Sequence, residues 1–306
     1  MKWYESICKI FSKNKSAQKE IDALDWEKAL FGKSSSKEEF AGKISKFQEK
    51  YDLPETGHID SSTLRRRYTE HESVLSVIEG KVEIHDYKKI ICDDIRIPIE
   101  WDQVKLFNHP KNLKLPEKCY KKYDDHREPT MFVAHWDVCL SSKSCFNVLE
   151  KRNLSVHFLI DNDGTIHQIM DTNDIAWHAG NKKVNNKSIG VEISNAYYPK
   201  YQDIYRMKNF GLRPVWKNSR VHGRTLEPHL GFYDVQIQAF KALAKALNHA
   251  YGIPLVAPME NNKFVETIYD DAVKARFKGV ISHYHITKRK IDCAGLNLDE
   301  VLKEIV

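Results

Sequence analysis

The sequence predicts an α/β protein whose mixed central β-sheet is flanked by helices, with a small N-terminal helical module in front of it. Three observations predict this. From Thr130 onward short apolar runs alternate with helical periodicity, in the order strand, helix, strand, strand, strand, helix, strand, helix. The runs Ser155 to Asp161 and Thr165 to Ile169 flank Asn162-Asp-Gly, a strong hairpin turn. Asp234 to Tyr251 puts Val235, Ala239, Ala242, Leu243, Ala246, Leu247 and Ala250 on one face and stops at Gly252 and Pro254, as an amphipathic helix against a sheet does.

The elements follow in order. At the N-terminus Glu5 and Lys9 interrupt the apolar residues, so no signal-peptide core is expected there. No apolar run approaches the roughly 20 residues that span a bilayer. The expectation is a soluble product made in the cytoplasm, without membrane insertion. Residues 16–70 read as a helical module: Phe40, Ile44 and Phe47 form an apolar stripe, Pro54 and Gly57 make a turn, and Asp60 or Ser61 caps a further helix. Residues 71–129 read as a linker with lead-in strands, from alternation at Val82 and Ile84 and at Ile95, Ile97 and Ile99. Asn108 to Pro129 reads as a surface crossing. In residues 130–306, Met131 to Ala134 is a fully apolar strand, Ser142 caps a helix through Arg152, and Ser188 to Ser194 is another buried strand.

Composition narrows the classes. With 42% hydrophobic and 11% aromatic residues in 306, the chain has enough apolar material for a core and is not disordered as a whole. Its 48 basic and 42 acidic residues give +6, a mild bias toward a polyanionic wall or envelope, and toward nucleic acid. The basic residues are scattered, so a solvated surface is expected and no nucleic-acid partner. Six cysteines show no disulfide-framework spacing, which points to free thiols in a reducing compartment.

The chemistry is concentrated in two histidines that each end a short apolar run, Met131-Phe-Val-Ala-His135 and Gly279-Val-Ile-Ser-His283, the second followed by Lys290-Ile-Asp292. Two imidazoles and a carboxylate at the ends of buried strands make a three-ligand zinc set with a fourth position for water, an arrangement that hydrolyses bonds. Ligands of such sheets collect beyond the carboxyl ends of the strands, where His135, Glu192 and His283 fall.

His135-Trp, Ser155-Val-His-Phe-Leu-Ile-Asp-Asn-Asp-Gly-Thr-Ile, Ala176-Trp-His-Ala-Gly, Asn186-Lys-Ser-Ile-Gly-Val-Glu-Ile-Ser-Asn and His283 with Lys290-Ile-Asp292 resemble, in order, the motifs of the zinc-dependent N-acetylmuramoyl-L-alanine amidases. That family includes phage lysozyme-amidases, muropeptide-recycling amidases and peptidoglycan recognition proteins. The resemblance covers residues from about 130 to 306. It implies that His135, His283 and Asp292 hold Zn2+, that Glu192 is the acid/base residue, and that Lys290 stabilises the developing oxyanion. It also implies that Trp177, His178, Ala179 and Gly180 line the substrate groove. Asn186 touches substrate or caps the loop. His157 is either a substrate contact or a buried, hydrogen-bonded strand histidine.

This chain departs from the family pattern at two places. It has Ser282 before its second ligand histidine and Asp292-Cys-Ala-Gly at the third ligand, where the family usually writes Gly and Asp-Pro-Gly. Some relatives use cysteine there, so Cys293 competes with Asp292, though it is offset by one from the register of Lys290. His285 shares a side with His283 if the segment is a strand, and is expected in the outer shell or facing solvent. The nine remaining histidines, such as His222, His229 and His249, are expected at the surface. The second departure is a long insertion, Ala196 to Phe232, rich in Tyr, Arg and Trp; it is expected over the active site, either as a glycan- and carboxylate-binding cover or as plain packing.

Within the N-terminal module, Phe47-Gln-Glu-Lys-Tyr-Asp-Leu-Pro-Glu-Thr-Gly-His-Ile-Asp-Ser-Ser-Thr-Leu resembles the repeat of type 1 peptidoglycan-binding domains. Together the resemblances imply cleavage of the amide between N-acetylmuramic acid and L-alanine in peptidoglycan, by a phage endolysin. The alternatives are a cytoplasmic anhydro-muropeptide recycling amidase, a non-catalytic recognition protein, and an effector delivered into a rival cell.

Overall fold

A computed structural model of the protein describes Phe31, residues 36–73 and residues 89–305. The expected character of the first residues, the helix before residue 31 and the alternation at Val82 and Ile84 lie outside these. The chain divides into two compact units, Met1–Leu75 and Ser76–Val306.

The first unit is built on two helices, α1 (Lys37–Lys50) and α2 (Ser61–Ser73). The Ser36 hydroxyl accepts the Glu39 amide at 3.2 Å and starts α1. Of the two candidates for the second cap, Asp60 does the work: its carboxylate accepts the Thr63 amide at 2.7 Å. Ile44, Tyr51, Ile59 and Leu64 are buried. At the centre lies Gln48, fully buried. Its carbonyl accepts the amides of Thr56 (2.9 Å) and Gly57 (3.0 Å), while its amide donates to Thr63 Oγ1 (2.8 Å) and the His58 carbonyl (3.0 Å). Gly57 sits at φ +67°, where a side chain would be strained. The Phe-Gln and Thr-Gly positions of the sequence motif are therefore the two sides of one buried hydrogen-bonded turn.

In the second unit β1 (Lys89–Cys92) and β2 (Ile95–Pro98) form an antiparallel hairpin. Six strands make the central sheet: β3 (Val104–Leu106), β4 (Met131–Trp136), β5 (Phe158–Ile160), β6 (Ile166–Gln168), β7 (Ser188–Ile193) and β8 (Gly279–Ser282), in the spatial order β8-β4-β7-β5-β6-β3. The β5–β6 pair is antiparallel across the Asn162-Asp-Gly turn, and the other neighbours are parallel, so the sheet is mixed as expected. All six residues of β4 and all six of β7 are buried, the signature of strands covered on both faces.

Helices α3 (Ser142–Lys151), α4 (Asp234–Tyr251) and α5 (Leu298–Lys303) flank it. The cap of α3 is Ser141, one residue earlier than expected. Gly252, left-handed at φ +66°, ends α4 where the sequence placed the stop. One sheet face sends Phe132, Ala134, Phe158, Ile189 and Val191 against Phe240 and Leu243 of α4, with Phe132 and Phe240 stacked at 5.2 Å. The other sends Met131, Val133 and Ile281 against Ala179, Val184 and Ala272. Residues 89–129 are tied into this unit rather than crossing its surface throughout. The Gln168 side chain accepts the Ile91 amide (2.8 Å) and donates to the Ile91 carbonyl (2.6 Å), and Leu115, Cys119 and Arg127 are buried. Among the described residues no helix is long and apolar enough to cross a membrane.

Replacing Gln48 with Ala strands the buried Gly57 amide and removes one of the two acceptors of the half-buried Thr56 amide, which also donates to the Pro54 carbonyl at 2.9 Å. The first unit should lose about 2–3 kcal/mol of stability; in the full chain, faster hydrogen exchange at the amides of Thr56 and Gly57 and unchanged exchange in β4 is the expected result.

Candidate metal centre

The parallel register of β4 between β7 and β8 sets the site. His135 lies opposite Glu192 across the β4–β7 pair, and Ala134 opposite Ser282 across β4–β8, so His283 follows directly beyond the end of β8. Alternation along β4 puts His135 on the face of Met131 and Val133, away from α4. The same alternation puts Glu192, which is buried, on the face opposite Ile189 and Val191. Both side chains therefore leave the sheet on one side.

Three donor atoms converge there. His135 Nδ1 is 2.9 Å from His283 Nδ1 and 3.1 Å from Asp292 Oδ2, and His283 Nδ1 is 3.0 Å from the same oxygen. Among the described residues this is the only cluster of three or more His, Cys, Asp or Glu donors so arranged. Tetrahedral binding at 2.0–2.1 Å places ligand atoms roughly 3.3 Å apart, close to what is seen. Burial works to raise the Asp292 pKa, but the charge of His283, hydrogen bonds from both histidines and the charge of Lys290 outweigh it and hold the carboxyl well below the usual range. The third donor is thus an anion at neutral pH.

Protons on the outer side fit the same reading. His135 Nε2 lies 2.9 Å from His178 Nδ1, and His178 Nε2 lies 3.2 Å from Ser188 Oγ. Burial first, then the neighbouring imidazoles and Arg127, push the His178 pKa well down, so its ring is neutral. The geometry accommodates a tautomer in which His178 donates to Ser188 and accepts from His135, and in it His135 Nδ1 would turn its lone pair toward the cluster in place of a hydrogen bond to Asp292. In that tautomer the two imidazole nitrogens and the carboxylate oxygen can each turn a lone pair toward a divalent cation.

His178, expected to line the groove, is half-buried and its ring stands beside His135, on the side of the ring away from His283 and Asp292. Its ring lies over Gly190, where an added Cβ would come within 2.9 Å of three ring atoms. His157, the other residue with two readings, is fully buried: Nδ1 accepts the Gly190 amide at 3.0 Å and Nε2 donates to the Asp174 carbonyl at 3.0 Å. Its pKa is pushed down to about 3 by burial and then by the Arg127 charge. A substrate cannot reach it, so the strand-histidine reading holds. Arg127, outside every sequence motif, donates to the carbonyls of Ser188 (3.0 Å), Asn185 (3.3 Å) and Thr172, joining the start of β7 to the His157 layer.

In the Trp177–Gly180 loop the amides of His178 (3.3 Å) and Ala179 (2.9 Å) donate to Asn185 Oδ1, and the Trp177 amide donates to Ser155 Oγ at 2.8 Å. The loop cap is therefore Asn185. Asn186, to which that role was offered, is exposed, because the short helix Lys182–Lys187 turns consecutive residues to different sides. Trp177 is half-buried, Ala179 is buried against Met131 and Val184, and Gly180 is exposed at φ +63°.

Cys293 packs in the α4-side core, and burial raises its thiol pKa well above normal; it lies outside the donor cluster. Residues 283–285 form a 3-10 turn, not a strand, which sends His285 away from His283. It is buried, accepting from the Ser282 amide (3.0 Å) and donating to the Val265 carbonyl (2.7 Å), so it does not face solvent and its ring bonds to neither His283 nor Asp292. His229, expected at the surface, is also buried, stacked on Tyr197 at 5.0 Å and against Trp136 at 5.3 Å.

Two further residues had no sequence signal. Asp137, fully buried just past the end of β4, accepts the amides of Cys139 and Asn195 (both 2.9 Å) and the Ser194 hydroxyl (2.9 Å). It clamps the ends of β4 and β7 together, and burial lifts its pKa to about 8. Arg213 anchors the insertion: buried between the rings of Tyr205 and Tyr233 (4.4 Å each), it donates to the Ser194 carbonyl (2.7 Å) and to Asn162 Oδ1. Half-buried Lys290 sits two residues before Asp292, and its carbonyl lies 2.9 Å from Nε2 of His222 in the insertion.

Comparison with known proteins gives one family. Its model, described as N-acetylmuramoyl-L-alanine amidase, matches residues 125–294. No curated protein matches the chain. Among solved structures the chain is similar to a selenomethionine derivative of AmpD, at 18% identity over 64% of this chain and 95% of that one with a TM-score of 0.36. It is similar to a mutant endolysin from Bacillus subtilis at 17% identity, over 66% of this chain and 98% of that one, with a TM-score of 0.39. A third likeness is to AmpDh3 from Pseudomonas aeruginosa in complex with anhydromuramic pentapeptide, at 21% identity, over 62% of this chain and 66% of that one, with a TM-score of 0.37.

Removing support from behind His135 should loosen the cluster. His178→Phe is expected to lower affinity for a divalent ion about 10–100-fold, measured by competition with a chromophoric chelator, and Gly190→Ala to act in the same direction by displacing the ring. For His157 the sign is fixed by its lowered pKa. Between about pH 6.5 and pH 3 the unfolded chain takes up a proton that the native ring refuses, so stability is present above pH 6.5 and falls on acidification, by about 1.4 kcal/mol per pH unit for this group. Urea denaturation of His157→Gln between pH 6 and 4 should show a slope shallower by about one proton.

Proposed function

Because the chain belongs to the N-acetylmuramoyl-L-alanine amidase family, we propose that this peptidoglycan amidase is zinc-dependent, with His135, His283 and Asp292 as ligands, Glu192 as acid/base and Lys290 as the oxyanion-stabilising cation. The observation that carries this reading is the convergence of the three donor atoms within 3.1 Å of one another, on the face to which Glu192 also belongs. Two imidazoles and one carboxylate are a donor set that suits zinc and leaves room for a further ligand. When bound, zinc supplies Lewis-acid polarisation and lowers the pKa of a water toward about 7.

The chain's own residues do the rest. The Glu192 carboxylate takes a proton from the attacking water and returns it to the nitrogen of L-alanine as the amide to the lactyl group of N-acetylmuramic acid breaks. The Lys290 ammonium offsets the negative charge that grows on the scissile carbonyl oxygen. His178 holds the His135 ring at its angle, and the half-buried Trp177 and exposed Gly180 form the rim over which substrate enters. The N-terminal unit, residues 16–70 in the sequence reading, acts as the wall-binding module. Its pairing with an amidase favours lysis of intact wall, as in a phage endolysin, over recycling of soluble fragments, for which wall affinity is of no use.

The test is incubation of the protein with bacterial sacculi, with and without a zinc chelator, followed by mass spectrometry of the new ends. Stem peptides beginning in L-alanine, released only with metal, are expected. Glu192→Gln should keep its metal and lose about 10²–10⁴-fold in turnover; retained metal with undiminished turnover sinks its assigned role. Faster turnover of anhydro-muropeptide than of sacculi would move the reading to recycling.

A further inference from the structure

The insertion reaches the catalytic loop through one side chain. Within it Arg220–Val221 pairs with Arg224–Thr225, leaving His222 and Gly223 as a two-residue turn in which both lie at positive φ, +52° and +77°. Such turns favour Asn-Gly, and histidine is among the few other side chains found in the left-handed region. Here its ring is bonded at both nitrogens. The His222 amide donates to the Glu266 carbonyl at 2.8 Å, its Nε2 lies 2.9 Å from the Lys290 carbonyl, and its Nδ1 lies 3.2 Å from Thr267 Oγ1. The Lys290 carbonyl can only accept, so Nε2 carries the hydrogen and Nδ1 accepts from the Thr267 hydroxyl. Tyr284 meets the same ring edge-on at 6.1 Å, and its amide donates to the Asp292 carbonyl at 3.1 Å. The Arg213 anchor fixes the other part of the insertion, so the hairpin tip is held against Lys290 from a rigid base.

We propose that His222 is a positioning residue for Lys290: its Nε2–H holds the backbone from which the ammonium is aimed at the scissile carbonyl. This rests on the proposed role of Lys290 and assigns the insertion a part in catalysis beyond cover. Without the bond, the Lys290 backbone keeps the hydrogen bond of its amide to the Thr287 carbonyl at 3.2 Å but loses the hold on its carbonyl, in a segment whose preceding residues Lys288 and Arg289 are exposed, and the ammonium samples more directions than the reaction uses.

The test separates reach from folding. His222→Asn suits the turn but is too short to touch Lys290, and His222→Gln restores a donor of greater length. On a soluble N-acetylmuramoyl peptide, His222→Asn should lower kcat about tenfold with KM within about twofold. Melting temperature and zinc content should stay at wild-type level, and His222→Gln should recover most of the loss. In a Lys290→Ala background, His222→Asn should cost nothing more, since the two act as one unit. Unchanged kcat, a change in KM alone, or a full additional loss on top of Lys290→Ala overturns the proposal. If Lys290→Ala itself turns over like wild type, the role proposed for Lys290 is what fails.

Discussion

The site depends on one constraint, the parallel pairing of β4 with β7 on one side and β8 on the other. Parallel neighbours in register point their side chains to the same face, and the chain leaves all three strands at the same end. His135, Glu192 and His283, separated by up to 148 positions, therefore share one end of one sheet face without any specialised loop to bring them there. A slip of one residue in either pair would send its donor into the α4 core. The apolar residues between the polar ones, Phe132, Ala134, Ile189 and Val191, prevent that slip, because they have a packed face of their own.

What the register delivers, a largely buried polar layer refines. His178, His157, Gly190, Arg127 and Ser188 form a connected set behind His135, in which each ring nitrogen has a defined role and the missing Cβ of Gly190 makes the space. Such a layer is costly to bury where groups go unmatched, and here all but Arg127 Nε among the buried side-chain atoms of the set have a partner. Here the matching fixes which nitrogen of His135 faces the cluster. Asp137 has the equivalent task at the strand ends, where three hydrogen bonds to its carboxylate replace the water it lost.

The insertion shows how an added segment joins an existing site. Arg213, between two tyrosines and bonded to the carbonyl of Ser194, ties it to the end of the strand that carries Glu192. His229 and Trp216 pack it beside Trp136, the residue after His135. His222 ties its hairpin to the loop that carries Lys290 and Asp292. Both catalytic assignments made from sequence thus have the insertion as a neighbour; Tyr201, Tyr205, Phe232 and Arg213 are buried in its packing, while Lys200, Arg206, Lys217, Arg220 and Arg224 stay exposed.

The chain alone determined the α/β class, the mixed sheet, the limits of α4 and the donor triplet, because apolar periodicity and turn residues are local and because His135 and His283 end runs that had to be buried. It also marked the Phe-Gln and Thr-Gly positions whose contacts Gln48 makes. Tertiary structure decided the rest. Asn185 over Asn186, the support role of His178, the turn that carries His285 inward, and the parts played by Arg127, Asp137 and His222 all depend on contacts between residues far apart in sequence, or on a local twist that alternation does not encode. A histidine looks the same in the chain whether it binds a metal, orients a neighbour or fills a core. Its partners settle the difference, and partners exist only in the folded molecule.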